Sequence, residues 1–225
     1  MSSNEIISGI FTGIISSIIF NPIDKLIFTC CLCNQSIFDR KNWCNLYQGS
    51  LNTVATRIIT SGLYFSYLDH YSNITDNKYQ VAVITALVCS ITSPLQMIKF
   101  HQWYNKQSQF ETFRNIYVSK GIIGLGRGAI PLIMRDIVFN TIYLNFKEKG
   151  NHTKNLLVIT TGIVVASPLN LVKNKKYATN ENLREIIRKF RFSQLGLGMS
   201  ISRNCLSFYG GQLIYDGFKK ILDVK

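Results

Sequence analysis

The fold class this 225-residue sequence predicts is an all-α membrane protein: six transmembrane helices in three pseudo-repeats around a central cavity, joined by short loops or helices. Three observations predict it. Long stretches carry no charge, each runs into a proline at a regular period, and the remaining charges collect between those stretches.

Hydrophobic residues make up 47% of the chain and charged residues 16%, against roughly 25% charged in a soluble domain. No charged residue lies between Glu5 and Asp24, between Lys78 and Lys99, or between Lys154 and Lys173, windows of 18, 20 and 18 residues. A helix needs about 20 apolar residues to cross a bilayer core. A soluble fold can bury one such helix, but three in a chain of this length leave too little polar sequence to wrap them. The first window follows Glu5 rather than a basic cluster and has no small-residue cleavage site, so it reads as a retained helix and not as a signal peptide. An Arg-rich transit peptide is also missing, which leaves targeting to internal signals.

The formal charge of +13 is compatible with nucleic acid, anionic lipid or an anionic solute. Position narrows the choice. Segments 24–56, 99–127 and 173–195 hold 15 of the 25 Lys and Arg against 5 acidic residues, and basic excess of this kind marks loops that share one face of a membrane. A nucleic-acid-binding protein would instead carry its cations as a stripe on a soluble fold, so nucleic acid is not an expected partner. Cys30, Cys31, Cys33 and Cys44 could supply soft ligands, but they lack the two-residue gap of a zinc knuckle and read as apolar filler, so no metal is expected. His70, His101 and His152 occupy different loops with no nucleophile or metal partner at working spacing, which argues against an enzyme.

The repeat is explicit. Each charge-free window ends in Asn21-Pro22-Ile23-Asp24, Ser93-Pro94-Leu95-Gln96 or Ser167-Pro168-Leu169-Asn170, the prolines being 72 and 74 residues apart. Pro22, Pro94 and Pro168 are expected to kink their helices. A glycine landmark follows each: Gly49, Gly128 and Gly196. Seven residues further stands Thr56, Arg135 or Arg203, and thirteen beyond that Asp69, Glu148 or Asp216. Each unit is thus an apolar helix closed by proline, a basic loop, and a second helix with a polar residue inside it. The chain 1–225 reads as one domain with units at about 4–72, 77–150 and 154–222. The second helices are only weakly hydrophobic. A charge facing lipid at mid-bilayer costs about 2.5–3.5 kcal/mol, so Arg135, Asp136 and Arg203 should face a wet interior.

Proline followed two residues later by an acid, a glycine-rich return and a threefold period together resemble the mitochondrial carrier family. The resemblance covers about residues 5–220 and is best kept in the second unit, Lys120-Gly121-Ile122-Ile123-Gly124-Leu125-Gly126-Arg127-Gly128 leading to Arg135-Asp136. It implies a matrix gate in which Asp24 pairs with Lys99, Gln96 with Lys173, and Asn170 meets Ile27 where a base is usual. It also implies a cytoplasmic gate of Asp69, Glu148 and Asp216, with Lys219 the single base and Glu148 its partner. With so few ion pairs, low barriers and some leak are expected.

By the same resemblance, Thr56 with Arg57, Arg135 with Asp136, and Arg203 with Asn204 would contact the substrate during alternating access. Convergent guanidinium groups suit phosphate or carboxylate. An anionic small-molecule solute is the expected partner, with nucleotides or deoxynucleotides favoured. The Arg-Asp pair suggests the alternative of an amino acid or other zwitterion, and the eroded gates leave open a carrier-like scaffold that no longer transports. Tyr64, Phe139 and Tyr143 would either stack on a base or simply pack between helices. No cofactor is implied beyond bound cardiolipin at the glycine-rich returns near Arg127, and a monomer is expected. The composition, rich in Ile, Asn and Lys, resembles carrier-like proteins of giant DNA viruses, which would place the chain in a host's mitochondrial inner membrane.

Overall fold

The computed structural model describes residues 3–33, 38, 40–60, 75, 77–105, 107–148, 151–179, 181–192 and 196–223. These are overwhelmingly helical, with no strand among the described residues. Helix α1 spans Ser3–Cys33, residues 50–60 form α2, and α3 (Lys78–Cys89) passes through a 3-10 turn, Ser90–Thr92, into α4 (Ser93–Asn105). There follow α5 (Gln109–Leu125), α6 (Ala129–Phe146), α7 (His152–Ala178), the short α8 (Leu183–Arg188) and α9 (Leu197–Asp223).

Three helical stretches are long and apolar enough to cross a membrane: Ile10–Leu32, Lys78–Asn105 and His152–Ala178, of 23, 28 and 27 residues. At 1.5 Å per residue they reach about 35–42 Å, more than the ~30 Å hydrocarbon core. They overlap the three charge-free windows read from the sequence. Their surface is inverted relative to a water-soluble protein. Ile18, Ile19, Leu87, Ile91, Leu157 and Val165 are exposed, whereas Ser17, Asn21, Thr85, Thr92, Ser93 and Ser167 are buried. Apolar surface on this scale is stable only against lipid, so the protein is membrane-embedded.

Each proline removes an N–H from its helix and strands the carbonyl four residues earlier. The chain answers this locally in two of the three cases. Before Pro94 the backbone tightens into the 3-10 turn, and the Ser93 N–H reaches the Ser90 carbonyl. Before Pro168 the Ser167 hydroxyl donates to the Val164 carbonyl at 2.7 Å. Before Pro22 stands Asn21, fully buried, which works outward instead. Its amide donates to the Leu46 carbonyl at 3.0 Å and its oxygen accepts from the Thr53 hydroxyl at 2.9 Å, tying α1 to α2.

Neighbouring contacts join α1 with α9, α9 with α7, α7 with α6, and α6 with α3, while α1, α4 and α7 also touch one another. Where α1, α4 and α7 meet, Phe28, Met97, Phe100, Trp103, Tyr177 and Ala178 form an apolar cluster with Ile116 of α5. Phe100 stacks on Tyr177 at 5.8 Å and meets Phe28 at 5.2 Å. The Tyr177 hydroxyl is satisfied by Ser93 at 2.8 Å, so its burial strands no polar group.

Candidate functional site

Two of the residues just past a proline, Asp24 and Asn170, meet the arginines seven residues past Gly196 and Gly128. Arg203 on α9 forks onto Asp24 of α1, with Nε to Oδ1 at 2.7 Å and Nη2 to Oδ2 at 3.0 Å. The pair is mostly shielded, with side-chain exposures of 11% for Arg203 and 23% for Asp24. The Arg203 guanidinium also lies over the Phe20 ring, 5.4 Å from its centre, and bonds Asn204 Oδ1 at 3.2 Å. On α6, Arg135 bonds its neighbour Asp136, Nε to Oδ1 at 2.8 Å, and reaches across to Asn170 Oδ1 of α7 at 3.3 Å.

Other charges gather on these two arginines. Exposed Arg57 of α2 lies within electrostatic reach of Arg203, Asp24 and Arg135. Lys99 of α4 is in reach of Asp24, Arg57 and Arg203, and Lys173 of α7 in reach of Arg135, Asp136, Lys99 and Asp24. Six helices therefore contribute five cations and two carboxylates to one cluster, leaving three positive charges uncompensated. Five cations turned toward lipid would each cost about 2.5–3.5 kcal/mol, so the cluster is expected to face away from lipid. A net-positive cluster attracts anions.

The pairings differ from those the family resemblance implies. Asp24 is paired with Arg203 and not with Lys99, because a guanidinium offers both carboxylate oxygens a donor while an ammonium offers a point charge. Lys99 rests instead on the aromatic cluster, its Nζ 4.7 Å from the Trp103 ring centre and 5.1 Å from that of Phe100. Lys173 approaches Phe100 to 5.3 Å, and Gln96 donates to Thr92 Oγ1 at 3.1 Å. Asn170 is engaged by Arg135. A cation–π contact thus stands where the Asp24–Lys99 ion pair was expected, and another where Lys173 was expected to meet Gln96.

At the opposite end Glu148 pairs with Lys154 at 2.8 Å, and both are about half exposed. The hydrogen bond from Lys154, reinforced by its charge, holds the Glu148 carboxyl below the ordinary carboxylate range. Asp69 lies outside the described residues, as do the side chains of Asp216 and Lys219. Thr56 is half-buried on α2, beside Arg57. Tyr64 also lies outside the described residues. Phe139 packs against Gly162 of α7, where a Cβ would meet its ring at 2.9 Å, and stacks on Tyr143.

The glycine landmarks allow close approach of segments far apart in sequence. Gly49, Gly128 and Gly196 all have positive φ, at 76°, 95° and 54°. A Cβ on Gly49 would lie 3.1 Å from Trp103, one on Gly128 2.8 Å from Tyr177, and one on Gly196 2.1 Å from Cys31. Trp103, Tyr177 and Cys31 each stand nine residues past a proline. Sequence spacing located these glycines but carried no sign of their partners. Also unread in the sequence was Lys25, whose buried ammonium anchors the first loop by donating to the carbonyls of Cys44 and Asn45 and to Gln48 Oε1. Trp103 Nε1 completes that anchor at the Gln48 carbonyl, 2.6 Å away.

Two open clefts on the loop side, one of about 690 Å³ lined by Trp43, Tyr47, Gln48 and Gln107 among others, and one of about 290 Å³ beside Lys175 and Glu181, contain none of the clustered charges. The charged cluster is the better candidate because it draws charges from six helices. No known protein family matches the chain, and no curated protein resembles it significantly.

Proposed function

We propose that this protein is a solute carrier working by alternating access, a short member of the mitochondrial carrier family that exchanges anionic solutes, nucleotides or deoxynucleotides foremost. The single observation that carries the reading is the net-positive cluster drawn from six helices inside a bundle whose outside is apolar. Lipid faces the outside and an anion suits the inside. Six spans in three units are supported by the glycine contacts, which run from the first unit to the second, the second to the third and the third back to the first. On this reading α2, α6 and α9 are the second spans of each unit, and the 27 residues of α9 give it ample length. The mitochondrial inner membrane of a host cell is the proposed location, resting on the family resemblance and the composition.

One observation favours a second substrate class. Arg135 and Asp136 present a cation and a carboxylate side by side, which would suit the two poles of an amino acid. Uptake of labelled dATP, ADP, phosphate, glutamate and ornithine into liposomes carrying the purified protein separates the readings, with each compound also tried as internal counter-solute. Nucleotide exchange is the expected result, and its loss in Arg135→Gln would place that arginine on the path. Exchange confined to glutamate or ornithine would move the assignment to zwitterions. An intact protein that moves none of them would sink the carrier reading.

A further inference from the structure

Each interior arginine grips the residue two past the proline of the following unit, but the two grips are unequal. Arg135 takes one oxygen of neutral Asn170 at 3.3 Å. Arg203 takes both oxygens of the Asp24 carboxylate, at 2.7 and 3.0 Å. That two-point geometry is the one by which guanidinium binds a solute carboxylate or phosphate. Phe20 below and Asn204 beside it hold the fork in place for that grip.

We infer that Asp24 is an internal competitor for the anion that Arg203 would bind, so that solute entry exchanges one partner of Arg203 for another. The inference rests on the reading of the interior as an anion site. An oxyanion reaching Arg203 must displace a carboxylate of another helix that holds both points of the fork, whereas at Arg135 the competing carboxylate is that of the adjacent Asp136, bound through one oxygen, and the partner from another helix is only the Asn170 amide oxygen. The site therefore selects anions carrying a group at least as good as a carboxylate for a fork, such as a phosphate, over weaker acceptors. Once released, Asp24 has a second cation within electrostatic reach, Lys99 of α4, now resting on Trp103 and Phe100. Anion binding at Arg203 and ion pairing of α1 with α4 then favour each other. That reciprocity is what couples occupancy to a change of state.

The test is thermal unfolding of the purified protein in detergent, titrated with inorganic phosphate and with dATP. Asp24→Asn is expected to reach half-maximal stabilisation at about tenfold lower anion concentration than the unmodified protein. Arg203→Gln is expected to lose the response. If Asp24→Asn needs as much anion as the unmodified protein, or responds to neither anion, the competition is overturned. Should the amide variant not fold, Asp24→Ser makes the same comparison. Stabilisation that is enhanced in Asp24→Asn, with no uptake into liposomes by either protein, would support the competition while removing the carrier reading.

Discussion

Replacing Arg203 with Gln is expected to destabilise the purified protein by about 3 kcal/mol, read as a lowered thermal midpoint. The change strands Asp24, a mostly shielded carboxylate whose two oxygens are both held by that guanidinium. Breaking one side of such a pair leaves a desolvated carboxylate without its two-point hydrogen bonding, and the other cations within electrostatic reach, Lys99 among them, replace it only in part. Adding Asp24→Asn in the same chain is expected to restore most of the loss, because the second change removes the stranded charge. Strictly additive effects of the two substitutions would show that the pair contributes nothing specific. The same experiment on Arg135, whose carboxylate is its own neighbour Asp136, should give a smaller coupling to Asn170.

Gly128→Ala is expected to cost about 2–4 kcal/mol, measured as the loss of folded protein on heating. Two effects add. The position has φ of 95°, where an L side chain is strained, and its Cβ would lie 2.8 Å from the ring of Tyr177. Tyr177 cannot yield, being fully buried, stacked on Phe100 and hydrogen-bonded to Ser93. Gly210→Ala is the control: it has open space around its Cβ and lies within α9, so it should be neutral or slightly stabilising. Equal behaviour of the two variants would mean that the landmark glycine is not what allows α6 and α7 to approach.

Much of the architecture was legible because the pressures that shape it act locally. Lipid forbids charge over some 20 consecutive residues, and Ile10–Leu32, Lys78–Asn105 and His152–Ala178 could be anticipated from that alone. Backbone chirality demands glycine at positive φ, which made Gly49, Gly128 and Gly196 recognisable by position. The arginines of the second helices stood out because a charge at that depth needs an interior to face.

Partners were not legible, because a partner is set by how helices far apart in sequence come together. Asp24 and Arg203 are separated by 179 residues, and Lys99, Lys173 and Arg57 are also drawn toward Asp24 or its neighbours. Nothing along the chain ranks these cations; the fork geometry of arginine does. The aromatic cluster was hidden for a similar reason. Phe28, Phe100, Trp103 and Tyr177 are unremarkable in their own helices and form one cluster only when α1, α4 and α7 converge. In that cluster Lys99 and Lys173 rest on aromatic rings, and neutral Gln96 and Asn170 past two of the prolines offer them no carboxylate.

We propose that the charged cluster faces a water-filled, net-positive interior within the membrane. The most direct test places a single cysteine at Thr56, half-buried on α2 beside Arg57, in a protein stripped of its other cysteines, and measures its reaction with membrane-impermeant methanethiosulfonates. Modification is expected, with an anionic reagent reacting about tenfold faster than a cationic one of similar size at low ionic strength. No modification by either reagent in the membrane, or a faster reaction with the cation, would contradict it.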